Sequence, residues 1–239
     1  MTFAHGANAL AYGASTLGGA IDVTTPTARN TAPFSLALSG GSFGDFGARA
    51  TLGGVSGNLD GMFSAETQQR DGYRSHSAMD RRNAYANFGW QASEKISTRL
   101  YATYSDYYAE LPRELTPAQY AADPRQARAD AIAGNHSKDV QAWRLALKTT
   151  VTQVAGGTLE LGVSHEEQSL YHPIVSTPFF SLLIDTDHSD TGGMLRYRKT
   201  AGTHDLVLGA NYGFSTMKGG NYSNNGGERG FLMWASDDD

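Results

Sequence analysis

The sequence predicts an all-β protein laid out as an antiparallel meander, and three observations predict it. Apolar and polar residues alternate with a period of two over most of the chain beyond Pro33. Glycine supplies 28 of the 239 residues and is scattered along the chain, as many turns require. Short polar connections alternate with long ones, the order that a meander gives when its long loops gather at one end.

About nine strands follow from the alternation. Weak versions stand at Phe34–Leu38, Phe46–Leu52 and Leu59–Thr67. Clearer ones follow. Ala84, Ala86, Phe88 and Trp90 alternate with polar residues and glycine, and Ile96, Thr98, Leu100, Ala102 and Tyr104 do the same. Trp143, Leu145 and Leu147 continue the pattern, then Leu159, Leu161 and Val163, then Gly193, Leu195 and Tyr197. Leu206, Leu208, Ala210, Tyr212 and Phe214 close the series. Gly54–Asn58, Ala92–Lys95 and Thr200–His204 read as hairpin turns. The stretches Arg70–Asp80, Ala109–Lys138 and Ser169–Ser189 read as long loops. Within the second, Thr116-Pro117-Ala118-Gln119 and Asp123-Pro124-Arg125-Gln126 each offer a cap, a proline at the first helical position and a glutamine three after the cap, so two short helices are expected before Gly134-Asn135.

Composition excludes several functions. With no cysteine there are no disulfides, thiolate metal sites or cysteine nucleophiles. A net charge of −5 without a basic run argues against nucleic acid as a partner. The most apolar stretch, Pro178–Ile184, is far short of the roughly 18 residues of a membrane helix. Met1–Gly6 lacks a basic and an apolar region, so no secretory signal is expected in the chain as given. His165-Glu166-Glu167-Gln168 lacks the second histidine of a zinc helix, and neither a nucleophile elbow nor a phosphate loop occurs. No catalytic residue, metal site or cofactor is assigned, and the protein is not read as an enzyme.

Alternation fits two architectures. A soluble β-sandwich turns its apolar face to a core, whereas a transmembrane β-barrel turns it to lipid and its polar face to a wet lumen. Aromatics gather near strand ends at Phe88 and Trp90, at Tyr101, Tyr104, Tyr107 and Tyr108, at Tyr197, and at Tyr212 and Phe214, where bilayer interfaces would hold them. Arg49, Arg99, Arg144, Arg196 and Arg198 share the polar face with Glu66, Glu160 and Glu166, and are expected to pair with each other or with whatever segment fills the lumen.

Leu10-Ala-Tyr12-Gly13 followed by Gly18-Gly19-Ala-Ile21 and Thr25 resembles the end of the plug domain in TonB-dependent outer-membrane receptors. Arg70-Asp-Gly-Tyr-Arg-Ser-His76 and the segment Leu111-Pro-Arg-Glu-Leu-Thr-Pro-Ala-Gln-Tyr120 with Asp123-Pro124 are similar to early barrel and loop segments of the ferric-citrate-receptor-like, siderophore-uptake group. Arg113 stands where that group usually has glycine, and Asp22 where it usually has asparagine. The resemblance implies the end of a plug at 1–32 and the N-terminal part of a barrel at 33–239. It also implies a ferric siderophore as ligand, outer-membrane lipid around the wall, and the TonB-ExbB-ExbD complex as energy source through a segment outside this sequence. Arg70, Tyr73, Arg74 and His76 in the first long loop, with Arg113, Tyr120, Arg125 and Arg128 in the second, are the candidate ligand contacts, since arginine suits carboxylate and hydroxamate oxygens. Plugged barrels of this kind need about 22 strands, so the chain is expected to be a fragment that does not close by itself. A passive porin-like barrel and a soluble sandwich binding module are the rival readings.

Overall fold

The computed structural model of the protein describes residues 2–4, 20–22 and 24–237. Two short strands, β1 (Thr2–Ala4) and β2 (Ala20–Asp22), pair antiparallel with Phe3 opposite Ile21. Ten strands then form a single sheet: β3 (Phe34–Gly40), β4 (Phe46–Ser56), β5 (Leu59–Arg70), β6 (Met79–Gln91), β7 (Ile96–Glu110), β8 (Ser137–Val154), β9 (Gly157–Ser176), β10 (Ser181–Ala201), β11 (His204–Asn225) and β12 (Glu228–Ala235). Sheet order follows chain order from β3 to β12, and every pairing is antiparallel. Helices α1 (Pro117–Ala122) and α2 (Ala129–Ala133) lie in the β7–β8 connection.

Register sorts the side chains into two faces. One row crosses eight strands as Leu52, Phe63, Ala86, Ala102, Leu145, His165, Thr191 and Phe214. The next row on that side holds Phe88, Leu100, Leu147, Val163 and Tyr212. These apolar groups are open, up to 68% for Tyr212, and among the described residues no second sheet covers them. The sandwich expectation fails there, because its apolar face would be dry.

The opposite rows are polar. Arg49, Glu66, Asn83 and Ser105 lie in one register line, and Asp60, Gly89, Arg99 and Lys148 in another.

Two expectations about the connections need correction, while the antiparallel meander is the one expected, with ten strands in the sheet against about nine. The extra one, β12, carries Phe231-Leu-Met-Trp234 as an unbroken apolar run, so alternation could not mark it. Residues 169–189 are not a long loop: β9 and β10 run through them, with the connection confined to 177–180. Pro173 sits inside β9 opposite Leu183, and the register slips at Leu182/Leu183, where a residue without an amide proton is tolerated. The second helix starts at Ala129 with Arg128 in the cap position, not at Pro124. Asp123 instead closes α1, and its carboxylate accepts from the Arg125 amide at 2.8 Å.

Candidate functional site

Two regions bring functional side chains together. The first is the polar face at the short-turn end of β5–β7. Asp60, only 4% exposed, accepts from Arg29 Nε at 2.8 Å and from Arg99 Nη2 at 2.9 Å. Arg29 also donates to the Gly57 carbonyl at 3.1 Å. Arg99 further donates to Asn87, whose amide donates to the Pro26 carbonyl at 3.2 Å. The Tyr85 hydroxyl donates to Thr25 Oγ1 at 2.9 Å. Residues 25–31 are thereby laced onto the polar face by side chains of β5 and β6, which Arg99 of β7 braces from behind. Gly89 makes this possible, because a Cβ there would collide with the Arg99 guanidinium and come within 2.7 Å of the Asp60 carboxylate.

Charge pairing continues along this face. Glu66 holds Arg49 and, at 2.7 Å, Arg81. Glu160 holds Lys148 at 2.5 Å and Arg198 at 3.8 Å, and Glu166 faces Arg144 at 3.9 Å. A hollow of about 540 Å³ lies between Pro26 and Thr31 on one side and Arg49, Glu66, Asn83 and Tyr85 on the other. Of the plug-motif residues, Tyr12, Gly13, Gly18 and Gly19 lie outside the described residues. Ile21 is in β2, and Thr25 is the one Tyr85 binds.

The second region is the loop cluster at the other end. Arg74 reaches across from the β5–β6 loop and donates to the carbonyls of Arg113 at 2.6 Å, Gln126 at 2.9 Å and Pro112 at 3.2 Å. Arg128 pairs with Glu114 at 2.8 Å and Asp130 at 2.9 Å, and Arg113 lies 3.6 Å from Glu114. Glu114 is held below the ordinary carboxylate range by a backbone hydrogen bond and then by these two arginines. His76 Nε2 meets the His136 carbonyl at 2.8 Å, and its Nδ1 is 3.6 Å from Glu110. Since a carbonyl only accepts, Nε2 carries the proton.

Five of the eight sequence candidates, Tyr73, Arg74, His76, Arg113 and Arg125, therefore meet in one loop cluster, and Arg128 joins them through shared carboxylates. Arg74, Arg113 and Arg128 are engaged in tying loop to loop. Tyr73 and Arg125 are exposed, with the guanidinium 5.5 Å from the Tyr73 ring and 5.7 Å from the Phe43 ring. Phe43, which packs edge-on to Tyr73 at 5.3 Å, was missed by sequence reasoning because it stands alone between Ser42 and Gly44. Tyr120 projects from α1, 64% exposed, and Arg70 ends β5; neither joins the cluster.

A meander with one apolar face and one ion-paired polar face has the architecture of a partial β-barrel wall. Its fold is similar to the ferric citrate transporter FecA in its unliganded form, with a TM-score of 0.68 at 15% identity, over 85% of this chain and 31% of that one. It is also similar to the ferripyoverdine receptor of the outer membrane of Pseudomonas aeruginosa, with a TM-score of 0.73 at 16% identity, over 99% of this chain and 36% of that one. The chain thus spans about a third of the length of these proteins. No family profile matches it.

Proposed function

We propose that the chain is part of a TonB-dependent outer-membrane receptor for active uptake of a ferric siderophore or similar iron chelate, residues 1–32 ending a plug and residues 33–239 beginning the barrel. The observation that carries the reading is the two-faced sheet, open and apolar on one side, ion-paired on the other and crossed there by residues 25–31. A wall of this kind separates lipid from water. Both β3 and β12 are sheet edges, and an edge left unpaired in hydrocarbon costs several kcal/mol per orphaned backbone group, so further strands must complete the ring. The fixed crossing segment favours a stoppered barrel over a passive pore. In this reading Tyr73 and Arg125, with Phe43 beside them, are the ligand contacts best placed at the loop end. Arg70 and Tyr120 border the same end, while Arg74, His76, Arg113 and Arg128 hold the loops in shape. TonB-ExbB-ExbD supplies the energy, acting through a plug.

The absence of cysteine permits a direct test. Leu147→Cys and Ser164→Cys place one thiol on each face within the membrane-spanning part. In outer membranes of a Gram-negative host, the thiol of the Leu147→Cys variant is expected to react only with a lipid-soluble maleimide. That of the Ser164→Cys variant is expected to react with a charged, water-soluble one. Equal reaction of both with the charged reagent would remove the lipid-facing assignment. Growth of the host on defined ferric siderophores under iron limitation then tests the cargo.

A further inference from the structure

His136 is 1% exposed, and among the described residues neither ring nitrogen has a hydrogen-bond partner. Its backbone, by contrast, is a junction. The His136 amide donates to the Ala131 carbonyl at 2.8 Å, and its carbonyl accepts from Leu111 N at 2.8 Å and from His76 Nε2. The ring lies against Gly134, where a Cβ would come within 2.9 Å of Nε2 and would also strike Ser176 and Asn224. Asn224 in turn donates to the Gly134 carbonyl at 2.8 Å and accepts from the Gly227 amide at 2.8 Å. One imidazole thus sits where the β7–β8 loop, the β5–β6 loop, the end of β9 and the β11–β12 hairpin meet.

We infer that His136 is a pH-sensitive fastener of the loop cluster, holding the β7–β8 loop down while its ring is neutral and releasing it when the ring takes a proton. The inference rests on the receptor reading only for what the loop controls, namely the position of Tyr73 and Arg125.

The charges around the ring fix the direction. Arg113 and Arg128 from its own loop and His76 from the β5–β6 loop oppose a positive imidazole, and Asp130 on α2 favours it. Asp130 is already engaged by Arg128 at 2.9 Å, and Glu110 on β7 faces His76. From β9, Ser176 presses on this corner and His172 Nδ1 meets the neighbouring Ser137 carbonyl, and from β11 the neutral Asn224 packs beside them. Burial first, and Arg113 next, hold the ring below the ordinary value of 6.5. An opened loop would expose the ring to water, where it protonates normally. The fastening is therefore complete above pH 6.5 and is lost progressively as the pH falls below it.

Release would loosen the pair directly, because the Arg125 carbonyl accepts from Ser75 N at 2.7 Å and Arg125 Nε donates to the Tyr73 carbonyl at 3.4 Å. The test is hydrogen exchange in the completed barrel purified from membranes in mild detergent, corrected for the intrinsic pH dependence of amide exchange. Protection of the Leu111, Ala131, Gly134 and His136 amides is expected to drop by about tenfold or more between pH 7.5 and pH 5. His136→Phe, which keeps the ring and discards the proton, should hold its protection across that range. Flat protection in the unmodified protein, or an equal loss in His136→Phe, overturns the inference. If the variant does not fold, the ¹³Cε1 shift of His136 in the unmodified protein decides: titration below the ordinary value supports the fastener, and titration at or above it overturns it. Ferric siderophore binding is followed separately at both pH values. Loss of protection without any siderophore binding would leave the fastener standing and remove the receptor reading.

Discussion

The short-turn half of β4–β8 and the loop-end extension of β8–β11 are parts of one sheet, yet they obey different codes. Below, each strand presents one apolar and one polar face, which in the proposed reading meet lipid and water, so the faces can be read from the sequence. Above, β8, β9, β10 and β11 reach 18, 20, 21 and 22 residues, about twice the 9–11 that cross a bilayer. Counted along the unbroken register, Tyr171, Pro173, Leu183 and Tyr222 stay on the side of the apolar rows. There, however, the β7–β8 loop and the β11–β12 hairpin fold over them: Tyr171 donates to the Gly227 carbonyl at 2.9 Å, and Leu183 is 0% exposed. The difference teaches that period-two patterning records a contrast between two solvents. Where a sheet leaves that contrast behind, strands persist without it.

Placing the same charge in both halves tests this contrast most severely. Leu147→Arg, at the middle of the apolar run from Val151 to Trp143 on β8, should cost up to about 4 kcal/mol in lipid. Ser169→Arg, on the same side of the sheet but in the extension and exposed, should stay within about 0.5 kcal/mol. Denaturant unfolding of the completed barrel in lipid vesicles, followed by heat-shifted gel mobility, measures both. Equal costs would mean that the apolar rows do not face hydrocarbon.

Electrostatics should show the same division at a smaller scale. Asp60→Ala leaves Arg29 and Arg99 facing each other without their anion, and about 3 kcal/mol should be lost, the lower end for a buried pair because Arg29 remains partly open. In the extension, Asp185 pairs with Arg229 at 3.0 Å in a more open setting, so Asp185→Ala should cost less than about 1 kcal/mol. The Asp60 variant should also free residues 25–31, visible as faster exchange of the Gly53 amide, which donates to the Pro33 carbonyl at 2.8 Å. Equal losses for the two variants would show that the lacing of the crossing segment contributes nothing.

What could be read from the residues follows the same boundary. The lower strands, their faces and the gathering of arginines and glutamates on one face were legible, because alternation and charge sign both survive in one dimension; which partner each takes, as Arg49 takes Glu66 and Arg198 takes Glu160, depends on register. Arg29 was not legible as the partner of Asp60, since nothing in a sequence shows a segment crossing a sheet. In the loop cluster the residue types were legible and their duties were not. Arg74 looks like an anion ligand by type and serves three carbonyls, an outcome decided by how two loops pack. His136 carried no signal at all, because its burial comes from β9 and β11, far away in the chain.

The smallest effect separates the two helices of that cluster. Thr116 caps α1 fully: its hydroxyl accepts from the Gln119 amide at 3.3 Å, and Gln119 Oε1 accepts from the Thr116 amide at 2.9 Å. Thr116→Ala should therefore fray α1 at a cost of about 1 kcal/mol, read as lost protection of the Tyr120 amide, which donates to the Thr116 carbonyl. The same spacing at Asp123 caps no helix. Asp123→Ala should leave α2 intact, because α2 has no side-chain cap to lose and is held by burial of Ala131 and by Arg128 gripping Asp130. Fraying of α2 in Asp123→Ala would show that a cap motif acts even where the chain turns away from it. An intact α2 would show that packing beneath the loop, and not local sequence, decides which of two similar motifs becomes a helix.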